Sequence, residues 1–235
     1  MKNRAFAQPL YKQSVSQMEA LDTIRVEPDG RTYAYALAGA ANLAVGKMTE
    51  QAPPVATASD EVVAASGVAG DMSVSITFGG AVTADFYKDG YLWFNDDTGE
   101  GYFYRVAGHP AGTTAVSVAL KDPIRLAFTA GATTVSLKQN RQALVVIAAT
   151  TLAAAPAGVP GIPVTAGYYF WNQVKGPAVV LTAGTLVIGN VASVMTTAGA
   201  VGPRAETDIL TSVGTVMAVN ATTEYSLINL AIPGY

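Results

Sequence analysis

The chain has no cysteine, one histidine, and charges on only 13% of its 235 residues. Each shortage removes a class of chemistry. Without cysteine there is neither a disulfide nor a thiolate nucleophile, and His109 alone cannot make the Cys/His sets that hold zinc. Ser-His-Asp catalysis is left with one candidate base, and no GxSxG nucleophile elbow is present. The charge content is about half the ~25% of an ordinary soluble domain, so small neutral residues or other chains are expected to cover the surface. Acidic residues (17) outnumber basic ones (14) and the net charge is −3. That balance opposes the basic stripe needed to displace counterions from phosphates, so no direct nucleic-acid contact is expected.

Long apolar runs are also missing. The stretch 142–174 carries no charge and exceeds the ~20 residues of a membrane span. Pro156, Pro160 and Pro163, with Gly158 and Gly161, break it. It is expected to form a buried strand from Ala143 to Ala149 followed by an Ala/Pro/Gly linker, with no membrane partner. Residues 1–16 contain Lys2, Arg4 and Lys12 without an apolar core after them, so no signal peptide is expected.

What remains are short alternating runs rich in Val, Thr and Tyr, punctuated by Gly, Asn and Asp roughly every ten residues, which is the pattern of an all-β chain. Thr23 to Glu27, the turn Pro28-Asp29-Gly30 and Arg31 to Leu37 predict a hairpin whose second strand carries Tyr33, Tyr35 and Leu37 on one face. A meander is expected from Ala84 to Ala107, with Asp89-Gly90 as a two-residue hairpin turn and Asn95 to Gly101 as a second turn. Further strands are expected at Ala178 to Thr182, Thr185 to Ile188 and Val191 to Thr196. Helices should be few and short, at the capping-box spacing Ser16-Gln17-Met18-Glu19 and at Asp122-Pro123.

Ala/Pro-rich stretches at 51–59 and 153–164 bracket the middle of the chain. The flanks echo one another, Ala38-Gly39 through Leu43 to Gly46-Lys47 and Ala183-Gly184 through Leu186 to Gly189-Asn190. The expected organisation is therefore a sandwich or barrel-like β domain built from both chain ends (1–52 with 160–235, including an N-terminal arm) and an inserted β-rich domain (53–159).

No catalytic, cofactor or metal site is expected. Gly39 to Met48 ends in Gly46-Lys47 like a phosphate loop, but Ala41 and Met48 stand where Gly and Ser/Thr are required. Asn95 to Glu100 gathers oxygen ligands without the Gly and Glu positions of a calcium loop. Asp96, Asp97 and Glu100 crowd one turn, whereas a glycosidase sets its two carboxylates across a cleft. His109, in Gly108-His109-Pro110, reads as a surface loop residue.

Aromatic residues concentrate in two places, Phe86 to Tyr104 and Tyr168 to Trp171. Alternation gives both strand faces rings, so one face is expected to be core and the other either to be covered by the fold as well or to form a contact surface. The contact candidates are Tyr91, Trp93 and Trp171, together with Phe6, Leu10 and Tyr11 of an arm that either orders on a partner or frays.

Three segments carry a family resemblance: Ile24 to Ala40, with Pro28-Asp29-Gly30-Arg31 followed by Tyr33, Tyr35 and Ala38-Gly39-Ala40; Tyr87 to Leu92 leading to Gly99 to Tyr104; and Tyr169 to Ala178. They resemble head decoration, or cement, proteins of tailed bacteriophages. The resemblance implies a non-enzymatic virion protein, assembled in the host cytoplasm, that binds the outer lattice of the major capsid protein, often as a trimer, and reinforces it against DNA pressure. It transfers no functional residues. The alternative is a tail or adsorption protein binding host glycans through the aromatic surface; a glycan hydrolase using the carboxylates of 96–100 is the third class.

Overall fold

A computed structural model describes residues 5–151, 154–194, 197–204 and 212–235. The chain opens with β1 (Ile24–Val26), β2 (Thr32–Leu37) and β3 (Thr49–Glu50). The middle holds β4 (Glu61–Val62), β5 (Ser73–Ile76), β6 (Tyr91–Asp96), β7 (Phe103–Gly108), β8 (Val116–Leu120) and β9 (Thr134–Lys138). The last part holds β10 (Val146–Ile147), β11 (Pro156–Pro160), β12 (Tyr169–Leu181), β13 (Val191–Val194), β14 (Val201–Pro203), β15 (Ser212–Ala218) and β16 (Tyr225–Ala231).

These strands make two compact units, Met1–Pro53 with Arg141–Tyr235 and Pro54–Asn140. The first unit has a sheet ordered β10-β3-β11-β12-β16-β15-β13-β14, with β2 on β12 and β1 on β2. The second has a six-stranded sheet ordered β4-β9-β6-β7-β8-β5. Both are curled antiparallel half-barrels, as an all-β barrel or sandwich requires.

The second boundary falls at 140/141, not at 159/160. The stretch expected to be a linker is largely an interior strand: Pro156 to Pro160 are all buried and pair with both β12 and β3. Its prolines sit at the strand's ends, where missing N–H groups cost least, and Gly158 lies where any side chain would collide. A Cβ there would stand 2.7 Å from Gln173 O and 2.8 Å from the Asn172 amide, at φ +148°. A buried polar network ties 141–160 into the first unit. Thr49 Oγ1 donates to Gly158 O at 2.8 Å, while Asn172 Nδ2 donates to Thr49 Oγ1 and Gln142 Oε1 at 3.1 Å each. Of the expected strand from Ala143 to Ala149, only Val146–Ile147 is regular, because Leu144 turns the chain at φ +54°. Ala153, in the expected linker, lies outside the described residues, as do Lys2, Arg4 and Thr196.

The β1–β2 hairpin has the register Ile24↔Ala34 and Val26↔Thr32. Tyr33 and Tyr35 point into one aromatic core with Trp171 and Leu21, and the small residues Ala34 and Ala36 let the opposite face pack tightly into two further apolar clusters. Neither expected helix forms. Glu19 accepts the N–H of Ala7 on Oε1 at 2.9 Å, and Ile124 exchanges backbone bonds with Gly70 and Asp71. The only helix among the described residues is the 3₁₀ turn Ala56–Ala58. Asp89-Gly90 is not a hairpin turn either, since Asp89 (φ +61°) ends a run of turns from Ala84 that feeds β6. Thr185 to Ile188 forms no strand, which removes the echo with 38–47.

Candidate functional site

The 13-residue β12 alternates strictly in its second half: Ala178 and Val180 are buried, Pro177 and Val179 exposed. The register carries that alternation across the neighbours, pairing Val179 with Leu227 on β16 and Thr215 of β15 with Val191 of β13. One face of β12-β16-β15-β13 is therefore core. The other presents Val179 (57% exposed), Met217 (44%), Tyr225 (39%) and Val191 (37%) to solvent. Lys175, at one end, is the only charged residue these four strands present on it.

Beside β12 the same face sinks into a cavity of about 440 Å³. Its walls are mostly apolar, from Val45, Val159, Pro160, Val179 and Leu227, with the rings of Tyr11, Tyr33 and Tyr225 and the guanidinium of Arg31. The Tyr225 ring lies over Gly46, where a Cβ would meet it at 2.7 Å. Gly46 is in the left-handed region at φ +69°, so the close approach and the turn both require glycine here.

Arg31 organises the polar end. Its Nη1 donates to the hydroxyls of Tyr11 (2.8 Å) and Tyr33 (2.9 Å), and its Nε donates to Asp29 Oδ2 at 2.6 Å. Those phenols and that carboxylate hold the guanidinium proton above its already high ordinary value. Burial, then the Tyr11 hydroxyl, pushes the Tyr33 phenol up. The backbone N–H of Arg31 lowers the exposed Asp29 carboxyl. The cluster is an ion pair flanked by two tyrosine hydroxyls, suited to holding a polar neutral group.

The six sequence candidates separate. Tyr11 lines the cavity. Trp171 does not belong to any contact surface: it is 1% exposed, meets Phe6 (5.1 Å, edge-on) and Tyr35 (5.1 Å), and donates Nε1–H to Gln8 O at 3.0 Å. Phe6 and Leu10 pack on the same core. The described part of the arm is thus packed on the first unit and not frayed. Buried Gln8 pins it, accepting from Tyr35 Oη (2.6 Å) and Ser14 Oγ (2.7 Å) while donating to Lys12 O and Tyr169 O.

In the second unit, β6 and β7 pair Tyr91 with Arg105 and Trp93 with Phe103. Leu92, Phe94 and Tyr104 fill the core, which leaves Tyr91, Trp93 and Phe103 on the opposite, partly exposed face. Tyr91 stacks on Phe103 at 5.6 Å with Arg105 over its ring.

His109 is buried, not on the surface. Its Nε2 accepts the N–H of Tyr87 at 3.1 Å, which places the ring proton on Nδ1, 2.9 Å from Pro110 O. Side-chain oxygens of Asn95, Asp96 and Asp97 are used within the turn and its neighbours, where Ser136 Oγ donates to Asn95 Oδ1 at 3.0 Å and the Asp97 N–H to Asp96 Oδ1 at 2.9 Å. Asn95 Nδ2 donates to Asp60 and Thr134, and Thr133 Oγ1 donates to Asp97, whose carboxyl is lowered first by the Thr98 N–H and then by Thr133. Among the described residues no group of three or more His, Cys, Asp or Glu side chains could hold a metal ion.

Sequence reasoning missed Arg31, Tyr33, Val179 and Tyr225. A signal existed for the last two, because strict alternation in 176–181 and 225–231 puts uncharged residues on both faces. Arg31 and Tyr33 were absorbed into the turn and core readings of the first hairpin. No protein-family model matches the chain, and no curated protein or solved structure is significantly similar to it.

Proposed function

We propose that the protein is a structural component of a phage virion that adheres to the outer surface of the major-capsid lattice and stabilises it, acting as a homo-oligomer, with a trimer favoured by the family resemblance. The observation that supports this most is the exposed face of β12-β16-β15-β13, on which Lys175 is the one charge these strands carry. At ~4.8 Å between strands and ~3.3 Å per residue it covers roughly 300–400 Å², the size at which exposed apolar patches mark interaction surfaces. A stable contact removes about 800 Å² per partner; the groove and the exposed Val187 and Ile188 beside the face extend it toward that value. A cement protein works by bridging capsomers, so that parting them must also break its interfaces. The resemblance of the hairpin segment 24–40 and of 169–178, both in this unit, adds to the reading.

The test is sedimentation of the purified protein with expanded capsids. The bound protein should raise their resistance to heat and low salt, and Val179→Lys with Met217→Lys should weaken binding at least tenfold. No binding, together with absence from virions, would end the reading. The adsorption alternative draws on the Tyr91, Trp93 and Phe103 face alone, since Trp171 is core; glycan binding lost on Trp93→Ala with the fold intact would favour it.

A further inference from the structure

We propose that the groove beside β12 is a binding site for an extended, proline-containing segment of another protein. The inference is independent of which assembly that protein belongs to.

The first argument is what the groove cannot accept. It runs along residues 177–181 of β12, which no strand pairs on the side opposite β16, and an unpaired strand side ordinarily invites a further strand. Here Leu181 donates its N–H to Gly46 O at 2.8 Å, so by alternation 177, 179 and 181 turn their backbone polar groups toward this edge. Pro177 has no N–H to offer. Its carbonyl is taken by Gln173 Nε2 at 2.8 Å, and the same amide also reaches the carbonyls of Lys175 (3.3 Å) and Gly176 (3.5 Å). Val179 and the Leu181 carbonyl are left to pair, which is too little for a ladder. The ligand must therefore be recognised by its side chains and isolated carbonyls.

The second argument is what the groove offers. Tyrosine rings and aliphatic walls enclose about 440 Å³, within the ~300–1,000 Å³ of ordinary binding pockets. Tyrosine-lined grooves suit the polyproline II conformation, which is ordered before it binds and so loses little entropy.

The third is charge. Arg31 spends Nε on Asp29 and Nη1 on the two phenols, and among the described residues Nη2 has no acceptor. With Asp29 at 2.6 Å the pair is neutral overall, so the open donors match a carbonyl, whereas a carboxylate or phosphate would meet the Asp29 charge. A prolyl segment presents carbonyl acceptors and no N–H at its prolines. A sugar would need many convergent donors and acceptors that these aliphatic walls lack.

The experiment titrates the isotope-labelled full chain with a blocked decapeptide of repeating Pro-Pro-Leu and follows amide shifts. The expected result is saturable shifts confined to Gly46, Gly161, Val179 and the Arg31 side chain. Val179→Lys, an exposed substitution that leaves the core untouched, should weaken binding at least tenfold, and Tyr11→Ala should do the same. Equal binding of a decapeptide with alanine in place of proline, saturation of the same residues by maltohexaose instead, or no saturable shift at millimolar peptide would each overturn the proposal.

Discussion

Tyr87→Phe should stabilise the second unit, against the usual sign for a change in a packed core. The Tyr87 ring is fully buried and packs on Phe78 (5.9 Å, near parallel), Phe86 (5.0 Å, edge-on) and His109 (5.7 Å). Phenylalanine keeps all three contacts and leaves the backbone bond from Tyr87 N–H to His109 untouched. What it removes is a hydroxyl buried without a hydrogen-bond partner, a group whose desolvation costs about 1–3 kcal/mol. Against this stands the hole left by one oxygen, ~15 Å³ at ~24 cal/mol per Å³, or about 0.4 kcal/mol. The net gain is about 1–2 kcal/mol. Hydrogen exchange of peptides from 54–140 in the full chain, read by mass spectrometry, isolates this unit and should show slower exchange in the variant. A second reading comes from alkaline pH. Burial first, then Glu61, pushes the phenol up from 10 to about 12. The folded state therefore holds this proton more tightly than the unfolded one. Its contribution to stability is complete below pH 10 and is lost as pH rises toward 12, so the variant's advantage should widen across that window. Faster exchange in Tyr87→Phe at neutral pH would show that the hydroxyl is satisfied and refute the reasoning.

Two further outcomes follow from the first unit. Trp171→Ala should destabilise it by about 3–5 kcal/mol, the cost of emptying a large aromatic site, and should orphan the Gln8 carbonyl; a chemical denaturation midpoint that does not move would contradict the burial. Tyr235→Phe should cost about 1–2 kcal/mol, because the hydroxyl donates to Asp22 Oδ1 and accepts from Gln142 Nε2 at 2.7 Å each. Tyr235→Ala should cost more, since it also removes the ring stacked 3.7 Å from the Arg141 guanidinium; a thermal scan placing Phe midway between wild type and Ala checks both parts.

Local chemistry made the strands legible and long-range chemistry hid their partners. The first hairpin could be read from Pro28-Asp29-Gly30 and the alternation after it, because turn and pattern act over a few residues. The meander strands β6 and β7 were legible for the same reason. Pro156 to Pro160 read as a linker because its composition is that of one, and only Gly158's fit against Asn172 and Gln173, residues about fifteen positions away, turns it into a strand. Glu19 looked like a capping residue until the fold brought Ala7 to it. Trp171 illustrates the limit on sites. An aromatic run predicts rings on both faces, but which face meets solvent depends on what packs there, and Phe6 with Gln8 arrives from more than 160 residues upstream.

The shortage of charge acquires a location from this. Some of the charges that remain are neutralised where they stand: Arg25 with Glu27, Arg31 with Asp29, Arg141 with Asp22 and Lys121 with Asp89. None of these pairs interrupts the β12-β16-β15-β13 face, so a partner covering it desolvates almost no charge and gains nearly the whole of its apolar area, at about 25 cal/mol per Å². Association through such a face is governed by contact and shape, since exposed charges act only over a Debye length of about 10 Å at 0.1 M salt. Binding through such a face should persist as ionic strength rises, which is the behaviour that separates it from association steered by surface charge.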